Sequence, residues 1–358
     1  MLSRERFLQA LYCKTPDRVP IFENLFSPNL QEKLIGYKTP LYDGRAIVSL
    51  ATELGIDGTT IPIGGFCGFE DQITEGDNYT DEWGVTYIKR GWPIMIQIET
   101  PIKSREDWNK YSLPDPRATH RTDRLKDAIE ANKDGIAICA NILGPVTMMY
   151  WYLMDIQTLS IALFEDPSLI VEMCNAYTNW ALGVAEEIKK LDGIDAFIIS
   201  DDWGTSNSLL ISPKHLKAYF IKPFGDLVRG IRDLDYPVIM HNDGNLWEVL
   251  DDLVNTGING YHPVEKAATM DLETIKKKYK GRLCPIGNVN NKTVMVFGTK
   301  KDVVDETLSC LKTGGPGGGY IISTDHSLHD DIPEENVWAF INTAKKYGQY
   351  PLKFDISG

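Results

Sequence analysis

Residues 237–245 read PVIMHNDGN: an apolar run closes on His241, Asn242 and Asp243 before the turn-forming Gly244. An apolar run of this length bounded by a turn residue is the pattern of a buried strand. Polar, chemically competent side chains placed directly after such a strand are how a metal or acid/base site is built at the end of a barrel strand.

Working outward, the same pattern recurs along the chain. Strands are expected at 19–26, 58–64, 135–144, 196–204, 236–244, 260–265, 283–289 and 318–326. Helical stretches separate them. In 166–190 the apolar residues Leu169, Ile170, Met173, Tyr177, Trp180, Ala181 and Val184 recur close to a 3.6-residue period. Strand interiors apolar enough to be covered on both faces, alternating with helices, predict an α/β fold. The expected architecture is a single (β/α)8 TIM barrel, one domain over residues 1–358, which a barrel of about 250 residues plus insertions accommodates. The extra length falls early: WGVTYIKRGWPIMIQIET (Trp83–Thr100) alternates around Gly91 and predicts an inserted β-hairpin near residues 83–100, over the barrel mouth. The sequence shows no 20–50 residue repeat, low-complexity tract or inter-domain linker.

A net charge of −13, with basic residues scattered among acids, disfavours nonspecific nucleic-acid binding, which needs clustered Lys and Arg. The chain opens with no charged segment leading into an apolar one, and no apolar stretch reaches 18 residues. A cytoplasmic protein without a membrane span is therefore expected. The six cysteines, Cys13, Cys67, Cys139, Cys174, Cys284 and Cys310, contain no CxxC pair and signal neither a disulfide framework nor a thiolate zinc cage.

Three strand ends are unusually polar. SDDWGTSNS places Asp201 and Asp202 after the fourth predicted strand, His241 and Asp243 follow the fifth, and STDHSLHDD brings His326 and His329 after the eighth. Six histidines are present in all, and His241, His262 and His326 lie at or beside the ends of strands five, six and eight. In a closed barrel those ends converge on one mouth, where imidazole and carboxylate suit a zinc-type ion with a vacant position. Plainer readings stand beside these. His262 and His329 fit hydrogen-bonded structural roles, and either aspartate could cap the next helix. The GGPGGG run at 314–319 precedes its strand, whereas phosphate loops follow theirs, so a tight turn is its expected role.

These segments together resemble the uroporphyrinogen decarboxylase superfamily over nearly the whole chain, including its cobamide-dependent methyltransferase branch. The resemblance rests on TPDRVPIFE, NILGPVT (141–147), SDDWGT with ISP (200–213), VIMHNDGN, YHPVEKAATMD (261–271), IGNVN (286–290) and GGGYIISTDHSLHDDIPEENV (317–337). Uroporphyrinogen decarboxylases hold their polycarboxylate with arginines in an early MRQAGRY-like segment and carry an Asp in an FSDI-like strand. This chain has FENLFSPNL (22–30) and IPIGG (61–65) there, and Trp151 where those enzymes have a Tyr. A porphyrinogen with eight carboxylates would meet an acidic protein offering Glu23. The methyltransferase branch binds zinc through an HxC motif and a later Cys; the matching positions are His241, Asp243 and His326, so both thiolates are absent. Nitrogen and oxygen donors make a harder Lewis acid, suited to an ether oxygen.

The resemblance and the residues together imply a zinc-dependent methyltransferase that demethylates a small methoxylated, aromatic compound. Zn2+ would be held by His241, Glu265 and His326, with Asp243 as ligand or directly behind. Asp201, Asp202 and Asp243 would orient groups and handle protons, while Glu23, Trp151, Tyr152 and Trp203 would contact substrate. The stripe Met148–Tyr152 could wall an aromatic substrate, although such a stripe is more often core packing. The methyl would pass to cobalamin carried by a separate corrinoid protein, and the resemblance points toward a homodimer. Two other readings remain open: a decarboxylase of a small organic acid with His326 as proton donor, and an inactive barrel acting as a binding subunit.

Overall fold

The computed structural model describes residues 1–67, 73–90 and 95–354. Twelve strands are formed among them: β1 (Phe22–Glu23), β2 (Leu25–Phe26), β3 (Gly58–Pro62), β4 (Asn78–Thr80), β5 (Thr86–Lys89), β6 (Met95–Glu99), β7 (Ala137–Leu143), β8 (Ala196–Ser200), β9 (Val238–His241), β10 (Gly260–His262), β11 (Cys284–Pro285) and β12 (Leu328–His329). Seven make one parallel sheet in the order β1-β3-β7-β8-β9-β10-β11, each strand beside its neighbour in sequence among the barrel segments. The segment expected as the eighth strand is held by bridges on both sides. Ile321 pairs with Ile286, Thr324 with Val289, and Ile322 with Ile21, all parallel. The sheet's two edges therefore meet through residues 321–324, giving a TIM-barrel-like α/β fold.

Strand alternation explains the layering. Inside the ring lie Phe22, Ala137, Cys139, Ala196, Ile198, Ile239, Cys284, Ile286 and Ile321, capped from below by Phe7, Ala10 and Leu11 of helix Ser3–Leu11. Their alternate neighbours, such as Ile138, Phe197, Met240 and Ile322, pack outward against the helices. Helix Pro167–Lys189 buries the expected stripe from Leu169 to Val184 and is capped by Asp166, whose carboxylate accepts from the Leu169 amide.

Of the expected hairpin near 83–100, Thr86–Lys89 pairs antiparallel with Met95–Glu99, and the Gly91-centred turn lies outside the described residues. A third strand, Asn78–Thr80, pairs on the other side of Thr86–Lys89; its polar residues carry no strand signature. Trp83 anchors this sheet on the barrel, stacking 4.9 Å from Phe66 and meeting Trp180 edge-on at 4.8 Å. Arg121, fully buried, binds Glu82 at 2.5 Å and lies over the Trp180 ring. Among the described residues no helix is long and apolar enough to cross a membrane.

Candidate active site

The mouth chemistry begins with register. β9 and β10 pair so that His241 lies beside His262, both in the inward-facing set with Ile239 and Gly260. Their rings stack 4.9 Å apart with the Nδ1 atoms at 2.7 Å, so one nitrogen carries the shared proton and the other accepts it. Burial, then the nearby His241 and His326, pushes the His262 pKa well below the ordinary value, so this ring is neutral. Its Nε2 reaches Ser323 Oγ at 3.4 Å. His262 thus orients His241 and leaves its Nε2 outside this hydrogen bond.

Beyond β8 the two adjacent aspartates part company. Asp201 is fully buried under the turn at Gly144–Thr147, accepting from the Thr147 amide at 2.7 Å. A Cβ on Gly144 would lie 2.2 Å from the Asp201 carboxyl carbon, so that approach requires glycine. Burial raises the Asp201 pKa to about 7 against the Thr147 hydrogen bond. Asp202 turns toward the mouth, its amide held by Thr147 Oγ1 at 2.9 Å and its carboxylate accepting from the Asp243 amide at 3.2 Å. Burial raises its pKa; His241 opposes that shift and Asp243 adds to it.

One donor atom from each of Asp202, His241 and Asp243 lies within 4.8 Å of the others. Asp243 Oδ1 is buried without a hydrogen-bond partner, and Oδ2 stands 3.5 Å from His326 Nε2. An orphaned carboxylate oxygen beside an imidazole and a second carboxylate fits a divalent ion that prefers nitrogen and oxygen donors. Glu265 is otherwise engaged: it accepts from the Gly244 amide at 2.8 Å and from Lys292 Nζ at 3.3 Å. At Gly244 φ is +101°, and a Cβ would come 2.6 Å from the Gly204 carbonyl carbon, so the turn after Asp243 also needs glycine. His326 is half-exposed, its Nδ1 2.8 Å from Ser327 Oγ.

A cavity of about 700 Å3 opens over this cluster, lined by Gly204–Ser206, Asp243, Glu265, Lys292, Asp325, His326 and the exposed Phe297, among others. Among the described residues no arginine and no cysteine lines it, and Lys292 is its one cation besides the histidines. Asp325 accepts from the Asn291 amide at 2.7 Å, and burial raises its pKa to about 7.

The expected site residues fall into two groups. Asp202, His241, Asp243, Glu265 and His326 gather at the mouth, with Asp201 just beneath. The expected substrate contacts do not line the cavity. Glu23 is fully buried, its carboxylate taken by the amide and hydroxyl of Thr324 at 2.6 and 2.9 Å. Tyr152 is packed among Phe66 and Trp83, donating to the Phe66 carbonyl at 3.1 Å. Trp203 is fully buried against Phe224, and Trp151 is 43% exposed; neither lines the cavity. Sequence reasoning did not single out Thr147, Asp325 or Lys292. Asp325 stands next to His326 in TDH and could have been found; Lys292 follows IGNVN with no signal of its own.

A family described as uroporphyrinogen decarboxylase (URO-D) matches residues 85–347. A uroporphyrinogen decarboxylase from Idiomarina loihiensis is 22% identical over 372 aligned residues, covering 97% of this chain and 96% of that protein. The methylcobamide:CoM methyltransferase MtbA of Methanosarcina acetivorans is 22% identical over 257 residues, 70% of this chain and 71% of its own. Among solved structures, a methyltransferase from Methanosarcina mazei superposes with a TM-score of 0.74 at 18% identity, over 97% of this chain and 99% of that one, a likeness of fold. With the family's pattern running from the inserted sheet to the last helix, the chain belongs to the uroporphyrinogen decarboxylase (URO-D) family.

Proposed function

We propose that this protein is a metal-dependent methyltransferase that demethylates a small methoxylated, aromatic compound and delivers the methyl to a corrinoid on a separate protein. The observation that carries the reading is the Asp202–His241–Asp243 cluster with its unpartnered Asp243 oxygen, Asp243 itself lining the 700 Å3 cavity. The similarity to a methylcobamide:CoM methyltransferase supports the corrinoid partner. Asp202, His241 and Asp243, with His326 beside them, would hold a zinc-type ion, which would supply a Lewis acid for an ether oxygen. His262 fixes the tautomer and orientation of His241. Glu265, tied to the Gly244 amide and Lys292, holds the turn that presents Asp243. His326 Nε2, opposite Asp243, can hold a proton for the departing aryl oxygen. The cavity volume falls within the range usual for small-molecule sites, roughly 300–1,000 Å3.

The second reading, decarboxylation of a small organic acid with His326 as proton donor, is supported by the near full-length similarity to a uroporphyrinogen decarboxylase. Uroporphyrinogen itself is disfavoured, since among the described residues no arginine lines the cavity to replace carboxylate hydration. The test is elemental analysis of protein purified without added metal, followed by incubation with methoxylated aromatics and a reduced corrinoid protein. About one equivalent of zinc and spectroscopic formation of methylcorrinoid are expected. Metal-free protein that releases carbon dioxide from a carboxylic acid would favour the second reading.

A further inference from the structure

Opposite the mouth, where helix ends return to strand starts, lies the glycine-rich run 314–319 that the proposed reaction does not use. A second cavity of about 540 Å3 opens there. Its charge opposes that of the chain. The whole protein carries −13, yet Lys276, Lys277, Lys280 and Lys312 line this cavity against a single carboxylate, Glu273. Glu273 is already paired with Lys277 at 2.5 Å. Lys280 forms no ion pair among the described residues, and the Lys312 ammonium lies 5.7 Å from the Phe354 ring centre.

The loop supplies the second element. Lys276 pins it, donating to the Gly318 carbonyl and to the Gly319 carbonyl at 2.7 Å. Burial, with Lys280 adding to it, holds the Lys276 pKa below the ordinary lysine value. Gly317, Gly318 and Gly319 have φ of +81°, +72° and +59°, a left-handed run that only glycine adopts freely. The amides of Gly315, Gly318 and Gly319 are taken by the carbonyls of Leu311, Gly315 and Lys14, whereas the Gly317 amide has no partner among the described residues. A Cβ at Gly317 would meet nothing within 4 Å, so its backbone lies open to a ligand, while the next two glycines pack on residues 13–15. Uncompensated ammonium groups around an open backbone amide are the ingredients of an anion cradle.

We propose that this floor cavity is a second binding site, for a small phosphate-bearing anion held by Lys280, Lys312 and the Gly317 amide, with Lys276 as the partly buried cation behind them. The site is separate from the mouth and does not depend on the reaction carried out there. It is tested by melting the full chain in pyrophosphate and in sodium chloride of equal ionic strength, because general screening acts alike in both. Pyrophosphate should raise Tm above the chloride control and bind calorimetrically at about one equivalent. A Lys280→Ala/Lys312→Ala double variant should melt like the parent in chloride and lose at least tenfold in pyrophosphate affinity. Adenosine diphosphate distinguishes the sources: tighter binding than pyrophosphate assigns a nucleotide, equal binding assigns the phosphate group alone. Should the double variant fold poorly, Lys280→Gln alone must still weaken binding. No difference between pyrophosphate and chloride in the parent protein, or unchanged affinity in the variants, overturns the site.

Discussion

The two ends of this barrel treat buried carboxylates in opposite ways. At the floor, fully buried Asp57 accepts from Arg6 at 2.6 Å, Arg18 at 2.7 Å and the Ile21 amide at 2.8 Å, and Arg6 also holds the Asp17 carboxyl down to about 2. At the mouth, Glu23, Asp201 and Asp325 receive amides or hydroxyls but form no ion pair among the described residues, and burial lifts them to about 8, 7 and 7. Charge on Asp57 at the floor is neutralised by charge, which locks geometry; these three carboxyls at the mouth have no paired counter-charge among the described residues, and burial brings their protonation toward neutral pH. Barrels place stability below and chemistry above, and here the same residue type serves both ends.

The comparison breaks most severely at Asp57. Asp57→Ala leaves buried Arg18 without a counter-charge and Arg6 with Asp17 alone, a loss of about 3–5 kcal/mol. Urea unfolding should show it as a lower midpoint, with metal content of the surviving folded protein unchanged. A midpoint within error of the parent would remove the stabilising role of the floor.

His241→Ala should do the reverse. Zinc content should fall to background and turnover by at least about a hundredfold, while Tm measured on metal-free protein barely moves, because the ring stands at the mouth. Full zinc occupancy in this variant refutes the ligand assignment. His262→Phe, which removes the Nδ1 partner of His241 but keeps a ring, should weaken metal binding by about 10–100-fold, the usual effect of losing an orienting partner.

How far the sequence revealed this contrast depends on what each residue answers to. VIMHNDGN was legible because a strand's polar end is local, and the barrel followed from counting such ends. His262 looked structural on its own, since only the β9–β10 register, a nonlocal fact, sets it against His241. Asp201 and Asp202 were indistinguishable as letters; the backbone turn at the strand end sends one under Thr147 and sets the other against Asp243. Glu265 was expected as a ligand from its place after strand six, but its partners Gly244 and Lys292 come from neighbouring loops that no spacing rule connects. Apolar and aromatic letters in Met148–Tyr152 served two readings, and packing against the inserted sheet decides for Tyr152.

Glu23 provides a milder test through pH. Burial raises its pKa from the ordinary 4.5 to about 8, so the folded state holds a proton that the unfolded chain has lost between those values. Stability from this group is therefore fully present below about pH 4.5 and declines as pH rises toward 8. Glu23→Gln mimics the protonated form, since its amide oxygen can accept from the Thr324 amide while its NH2 donates to the hydroxyl. The variant should gain on the parent between pH 5 and 8, by an amount on the order of 2 kcal/mol. Parallel stability curves for the two proteins would show that Glu23 is ionised in the fold.

The smallest effect is expected at Trp151, where exposure separates the segment's two readings. The ring is 43% exposed and lines no part of the 700 Å3 cavity, although its carbonyl accepts from Gln97 of the inserted sheet. Trp151→Leu keeps the backbone bond and removes a largely solvated ring, so stability should change by about 0.5 kcal/mol or less. Both kcat and KM for the methyl donor should match the parent. Ring contacts to a substrate are worth about 0.5–1.5 kcal/mol beyond area burial, so a KM raised several-fold at unchanged Tm would bring this segment into the substrate wall. That outcome would extend the mouth beyond the strand ends and over the π-helical turn at Met148–Leu153.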